Sequence, residues 1–148
     1  KYLGYNYKMN EIQATLGIEQ LKKMGCFVNK RNKIADIYNQ KFKNFNIYIP
    51  PTNKKIKSAY HLYIIKLKNK TSKEHKRIFK KLRNKKINVN LHYIPIYKHP
   101  YYRKLNFKSK NFPVAEKYHS SAISLPIYPS LKTSDQKYVI QILKEILN

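Results

Sequence analysis

The first stretch that could bind a ligand is a short polar loop leading into a predicted helix. Asn6 and Lys8 flank Tyr7 in this loop, so a carboxamide and a cation stand close together. Asn10 is a suitable N-cap, and Gln13 three residues later can complete a capping box. The free N–H groups and the dipole of a helix N-terminus favour negative charge. The loop is therefore predicted to bind an anion, although turns also use asparagine for purely local hydrogen bonds.

A second stretch, residues 91–102, combines two histidines, four tyrosines and two prolines. His92 and Tyr93 stand at the end of an alternating apolar and polar segment, where a predicted strand passes into a loop. A polar edge beside tyrosine rings suits a sugar and a diphosphate. The weaker candidates for the same role are Tyr97, His99, Tyr101 and Tyr102. The alternative is that His92 only satisfies the strand edge and that the rings pack against another part of the protein.

Other common kinds of site are not indicated. His61, His92 and His99 lack the spacing and the neighbouring cysteine or acidic ligands of a metal site. The three glycines do not form a phosphate-binding loop, and the seven acidic residues give no paired-carboxylate or Ser–His–Asp arrangement. The single cysteine, Cys26, excludes an internal disulfide and is expected to be an ordinary helix residue in a reducing cytoplasm.

Hydrophobic periodicity and capping signals predict the helices that must position these stretches. The opening helix is predicted from Asn10 to about Met24, with an interruption at Gly25. Capping boxes predict two further helix starts, at Thr71 with Glu74 and at Thr133 with Gln136. The predicted helical segments are residues 10–24, 27–45, 71–85, 114–121 and 133–148.

Short runs between these helices predict a small amount of sheet. Residues 60–67 are rich in aromatic and β-branched side chains and predict a strand buried on both faces. Residues 87–93 alternate strictly and give the clearest strand signal. Residues 47–51 and 123–126 predict short extended segments. Together these elements predict an α+β module of one domain, long enough to bury a core.

The charge of the chain is strongly positive. The 32 lysines and arginines against seven acidic residues give a net charge of +25. A stand-alone basic module that binds nucleic acid is therefore an open alternative. Against it, only four of the cations are arginines, and guanidinium groups are the usual readers of bases and phosphates. A general compositional bias towards lysine, which leaves a solvated basic surface, explains the charge as well. No signal peptide or membrane-spanning run is visible.

Several motifs resemble segments of one protein family, and they follow each other in the same order as in that family. Residues 3–14, LGYNYKMNEIQA, resemble the G-x-N-Y-R-M-x-E-I-Q-A segment of the DegT–StrS sugar-nucleotide aminotransferases. Residues 58–63, 88–102 and 113–129 resemble later segments of that family, so the resemblance covers nearly the whole chain. The run HYIPIYKHPYY is most like the branch that makes 4-amino sugars for pseudaminic acid.

The resemblance implies a fold and a division of labour. The family uses pyridoxal phosphate (PLP) on the type I aminotransferase fold, so residues 1–148 are expected to form the small C-terminal domain, with helices on a mainly antiparallel sheet. A helix near residues 10–44 would join it to the large domain. In the family the large domain carries the lysine that binds the cofactor covalently. No lysine here lies in that motif, so this chain is predicted to lack the large domain and to be inactive alone.

The resemblance also implies roles for individual residues. Asn6 would cross a homodimer interface to the cofactor phosphate of the neighbouring subunit. Lys8 stands where the family usually has arginine, so it would give a looser electrostatic contact to the substrate. Residues 91–94, which are Leu91, His92, Tyr93 and Ile94, would line the nucleotide-sugar pocket. The implied partners are a nucleotide-linked 4-keto sugar, glutamate as amino donor and a second subunit with shared active sites. The expected location is the cytoplasm.

Overall fold

A computed structural model describes residues 4–5, 7–53 and 55–147. Within this part of the chain, helices pack on a three-stranded antiparallel sheet, and the predicted α+β class is confirmed. The helices are α1 (Glu11–Lys41), α2 (Ser72–Asn84), α3 (Pro100–Arg103), α4 (Pro113–His119) and α5 (Thr133–Leu147). The strands are β1 (Ile47–Tyr48), β2 (Tyr63–Leu67) and β3 (Ala122–Leu125).

The sheet has the order β1–β2–β3, with β2 in the centre. Ile65 of β2 pairs with Ile123 of β3, and both side chains are fully buried. The prediction that this central strand is buried on both faces is wrong. Lys66 points to solvent, and its ammonium group lies 5.4 Å from the ring centre of Tyr48. The second face is therefore open to solvent at this point, where Lys66 makes a cation–π contact with the exposed ring of Tyr48.

Helix α1 is continuous over 31 residues, so the predicted interruption at Gly25 is wrong. A β-carbon at Gly25 would meet no atom within 4 Å, so no close contact requires a glycine there. One glycine costs a helix only about 1 kcal/mol relative to alanine, which the flanking turns easily offset. The capping box of Asn10 with Gln13 is confirmed, as is that of Thr71 with Glu74 at the start of α2.

The second half of α1 is anchored in the core. Tyr38 is fully buried, and its hydroxyl donates to the carbonyl of Pro126 at 3.0 Å. The predicted capping box of Thr133 with Gln136 is wrong. The Gln136 amide is buried and donates instead to the carbonyl of Ile34 at 2.8 Å, which ties α5 to α1. A buried amide group needs a hydrogen-bond partner, and the Gln136 side chain finds it in the carbonyl of Ile34 rather than in a capping bond at the start of α5.

Residues 87–93 do not form the predicted strand. Ile87 and Val89 are buried while their polar neighbours are exposed, so the alternation correctly marks the buried side. However, only Asn90 pairs with the sheet, through an isolated bridge to Ser124. The Asn90 side chain accepts a hydrogen bond from the next backbone N–H at 2.8 Å. This local bond turns the chain away from the sheet edge.

The continuity of α1 gives a first testable prediction. Gly25→Ala should slow amide hydrogen exchange at residues 21–29 about threefold to fivefold, because alanine stabilises an open helix position by roughly 0.5–1 kcal/mol. Gly4→Ala, outside the helix, is the matched control and should leave these rates unchanged. Faster exchange in Gly25→Ala would mean that the helix breaks at this glycine.

Candidate functional site

The candidate site is the loop of residues 91–99, which leaves the sheet edge after Asn90. His92 stands at its start, where its Nδ1 and the Oγ of Ser124 lie 2.7 Å apart in a hydrogen bond. Ser124 belongs to β3 and is buried, so it holds the imidazole against a rigid element. His92 itself is half-buried. The sheet edge therefore fixes the position of His92. The bond to Ser124 uses only one ring nitrogen of His92, so a structural role at the sheet edge is compatible with a binding role.

The next two residues face outward. Tyr93 and Ile94 are 71% and 52% exposed, and the Tyr93 ring packs edge-on against His92 with centroids 4.7 Å apart. They border an apolar groove of about 710 Å³ whose other wall includes Val114 of α4. Leu91 instead faces a different groove beside α2. The loop thus separates the predicted substrate residues onto two surfaces.

Tyr97 is held by contacts within the loop region. Its ring stacks on Phe112 with centroids 4.5 Å apart, and its hydroxyl donates to Oε1 of Glu116 at 2.7 Å. Lys98 donates to Oε2 of the same carboxylate at 2.6 Å. Tyr97 is therefore a residue that shapes the loop rather than one that presents a free hydroxyl. His99 lies at the end of the loop, with Nε2 a long 3.4 Å from the carbonyl of Ile94.

Glu116 is a site residue that the sequence interpretation missed. The Lys98 ammonium and then the Tyr97 hydroxyl lower the pKa of this carboxyl to about 2. Burial and the same carboxylate raise the pKa of Tyr97 to about 12. Glu116 lies in residues 113–129, one of the segments that resemble the family, and it is one of only seven acidic residues. Either fact could have singled it out as a candidate. The carboxylate of Glu116 therefore holds the loop against α4 through its bonds to Tyr97 and Lys98.

The N-terminal candidates are Asn6 and Lys8. Asn6 is outside the described residues. The side chains of Tyr5 and Tyr7 are 85% and 86% exposed, so these two rings do not pack on the described body of the chain. Lys8 is also exposed.

Within residues 4–5, 7–53 and 55–147, no three His, Cys, Asp or Glu side chains lie close enough to hold a metal ion. Over the same ranges, no helix has both the length and the apolar character that a membrane span requires.

Comparison with known proteins identifies relatives over almost the whole chain. The model of the DegT/DnrJ/EryC1/StrS aminotransferase family matches residues 1–144. Protein MJ1066 of Methanocaldococcus jannaschii is 40% identical over 98% of this chain and 38% of its own length. The UDP-4-amino-4,6-dideoxy-N-acetyl-beta-L-altrosamine transaminase of Campylobacter jejuni is 34% identical over 98% of this chain and 39% of its own length.

A solved structure supports the same relationship. The PLP form of Spr1654 from Streptococcus pneumoniae, described as a sugar aminotransferase, matches with a TM-score of 0.88 and 27% identity. The match covers 95% of this chain and 37% of that one. The chain therefore spans less than two fifths of the length of each of these proteins.

The charged cluster gives a second prediction. Because the pKa of Glu116 is lower in the folded protein than its ordinary value of 4.5, the ionised carboxyl stabilises the fold above that pH. This contribution is lost as the pH falls from about 4.5 towards 2. Glu116→Gln should therefore be less stable than the parent at pH 7, and the difference should shrink towards pH 2.

Urea unfolding at several pH values measures this difference. Lys98→Ala in the Glu116→Gln background should have little further effect, because the partner charge is already gone. A stability difference that is the same at pH 7 and pH 3 would show that the carboxylate charge does not hold the loop.

Proposed function

Because this chain belongs to the DegT/DnrJ/EryC1/StrS aminotransferase family, we propose that it is the C-terminal part of a sugar-nucleotide transaminase. The whole enzyme would use PLP to transfer an amino group from glutamate to a nucleotide-linked 4-keto sugar. The observation that carries this proposal is the continuous family match over residues 1–144. The name of the C. jejuni relative, a transaminase of a UDP-linked amino sugar, supports this substrate class.

The exposed half of α1 supports the proposed place of this domain in a larger assembly. Five large apolar side chains there are 55% to 81% exposed: Ile12, Leu16, Ile18, Leu21 and Met24. At about 100° per residue, Ile12 and Leu16 share one side of the helix, whereas Leu21 and Met24 lie on the other. A helix that is apolar on opposite sides is normally packed between two bodies.

We assign those two bodies to the large domain and to a second subunit. Residues 1–148 would then be the small domain, and α1 would be the inter-domain helix near residues 10–44. The same arrangement would carry Asn6, a few residues ahead of α1, towards the active site of the partner in a homodimer.

The described residues fit only one end of the cofactor. The N-terminus of α1 offers positive charge that suits the cofactor phosphate, whereas the exposed Lys8 would contact the anionic substrate. By contrast, every lysine that the structure describes is exposed or half-buried, which does not suit the amine that attaches PLP. When bound, PLP supplies an aldehyde carbon that takes the amino group from the donor and passes it to the acceptor. In this proposal the chain contacts its phosphate through Asn6, and the attaching lysine belongs to the large domain.

The candidate loop would bind the sugar nucleotide. His92, held by Ser124, places a polar ring at a fixed point of the sheet edge. Tyr93 and Ile94 present exposed apolar surface on which a sugar ring can pack. Leu91, Tyr97 and His99 support the loop rather than touch the substrate in this proposal. Holding the substrate in one orientation lowers the entropic cost of the reaction, which is what such a preformed loop contributes.

The cofactor role of Asn6 gives a third prediction. In the whole protein, Asn6→Ala should weaken PLP retention roughly tenfold to a hundredfold, since a hydrogen bond to a charged group is worth about 1.5–3 kcal/mol. The absorbance of bound cofactor after dialysis measures this. Asn10→Ala, which removes only the helix cap, is a control for local unfolding of the same segment. Unchanged retention in Asn6→Ala would remove Asn6 from the cofactor site.

The substrate role of His92 gives a fourth prediction. In the whole protein, His92→Ala should raise the KM for the nucleotide sugar roughly tenfold, because one polar contact to the substrate is lost. The half-reaction with glutamate should keep its rate. Ser124→Ala should give a smaller change in the same direction, since it only frees the imidazole. Equal loss of both half-reactions in His92→Ala would indicate damage to the fold and would falsify the proposed contact.

A further inference from the structure

The apolar groove beside the candidate loop has two walls that come from different parts of the chain. One wall is formed by residues 93–96 of the loop, and the other by residues 111–115 and Tyr118. Among the described residues that line the groove, none carries a charge, although the chain holds 32 lysines and arginines. Its volume of about 710 Å³ is within the usual range for small-molecule sites. The distance between the two walls therefore decides which ligand surface fits between them.

Apolar packing alone does not fix this distance. Ile96 on the loop wall is 66% exposed, and Val114 on the opposite wall is 81% exposed. Ile96 and Phe112 also line a second apolar cleft of about 290 Å³, so few dispersion contacts oppose a small shift of the loop. The ring of Tyr97 does stack on Phe112. Because hydrophobic contact is non-directional, this stack favours contact without setting one spacing between the walls.

The directional contacts between the two walls come from Glu116 of α4. Its Oε1 accepts a hydrogen bond from the Tyr97 hydroxyl at 2.7 Å, and its Oε2 accepts one from the Lys98 ammonium at 2.6 Å. Tyr97 and Lys98 directly follow the loop wall, and Glu116 directly follows residues 111–115 of the other wall. Hydrogen bonds to an ionised group are short and strong, and here one carboxylate uses both oxygens on the same loop. This carboxylate therefore joins the two walls of the groove.

We propose that Glu116 is a positioning residue for the sugar substrate, because it sets the width of this groove without touching the ligand. The inference rests on the proposed function, in which the sugar packs on Tyr93 and Ile94. Without the carboxylate bonds, these two side chains would take many positions relative to Val114. Substrate binding would then include the entropic cost of ordering the loop, which raises KM. The reaction with the amino donor does not use this groove and should be unaffected.

The experiment compares both half-reactions of the whole protein, with a UDP-linked 4-keto sugar and with glutamate. Glu116→Gln keeps the shape of the side chain and removes its charge. It should raise the KM for the sugar about fivefold and change kcat less than about twofold, because the groove is disordered only before the sugar binds. Lys98→Ala should raise KM similarly, and the double variant should add little, since both changes break one contact. The half-reaction with glutamate should keep its rate in all three variants.

Amide hydrogen exchange in the same variants gives a readout that does not depend on activity. The N–H groups of Lys98 and His99 bond to carbonyl groups within the loop. In Glu116→Gln these two amides should exchange about fivefold faster, while residues 34–41 of α1 keep their rates, which separates loosening of the loop from general unfolding. The matched control is Glu145→Gln, which removes an exposed carboxylate from α5 and should change neither the exchange nor KM.

Three results would overturn the positioning role. An equal rise of KM in Glu145→Gln would show that only the net charge matters. Faster exchange at Lys98 and His99 with an unchanged KM would show that Glu116 stabilises the loop without setting the groove. Both of these results leave the proposed function intact. If the parent protein forms no amino sugar from any nucleotide-linked keto sugar, the proposed function fails and the role of Glu116 in substrate binding fails with it.

Discussion

The structure depends on the way the second half of α1 is fastened into the core by buried polar side chains. Tyr38 packs against Tyr63 with ring centroids 4.9 Å apart, and both rings are fully buried. Their hydroxyls are nevertheless satisfied, by the carbonyl of Pro126 at 3.0 Å and by Oδ1 of Asn39 at 2.7 Å. Leaving either hydroxyl unpaired would cost about 1–3 kcal/mol. These bonds therefore set the position of α1 relative to β2 and to the segment after β3.

This anchoring leaves the first half of the same helix without a partner in the described chain. One end of the helix is thus anchored in this domain and the other end exposes its apolar side chains, as we propose for an element shared between two domains. The candidate loop has the same character, because Ser124 and Glu116 fix its base while Tyr93 remains exposed. Both features are explained if the active site forms where this domain meets a second domain and a second subunit.

Local signals in the sequence predicted much of this fold and little of its contact pattern. The capping residues at Asn10 and Thr71 act within one helical turn, so the sequence was sufficient to place those helix starts. The alternation at 87–93 reports which side chains are buried, and it carries no information on whether a neighbouring strand is available. Gln136 and Glu116 find their partners 102 and 18 residues away in sequence, beyond the reach of any local pattern.

Product formation tests whether this chain is part of a sugar-nucleotide transaminase. The measurement is the 2-oxoglutarate formed when the whole protein is given PLP, glutamate and a UDP-linked 4-keto sugar. We predict one 2-oxoglutarate for each amino sugar formed by the whole protein, and none from the 148-residue chain alone. A folded whole protein that retains PLP but forms no 2-oxoglutarate with any nucleotide-linked keto sugar would contradict it.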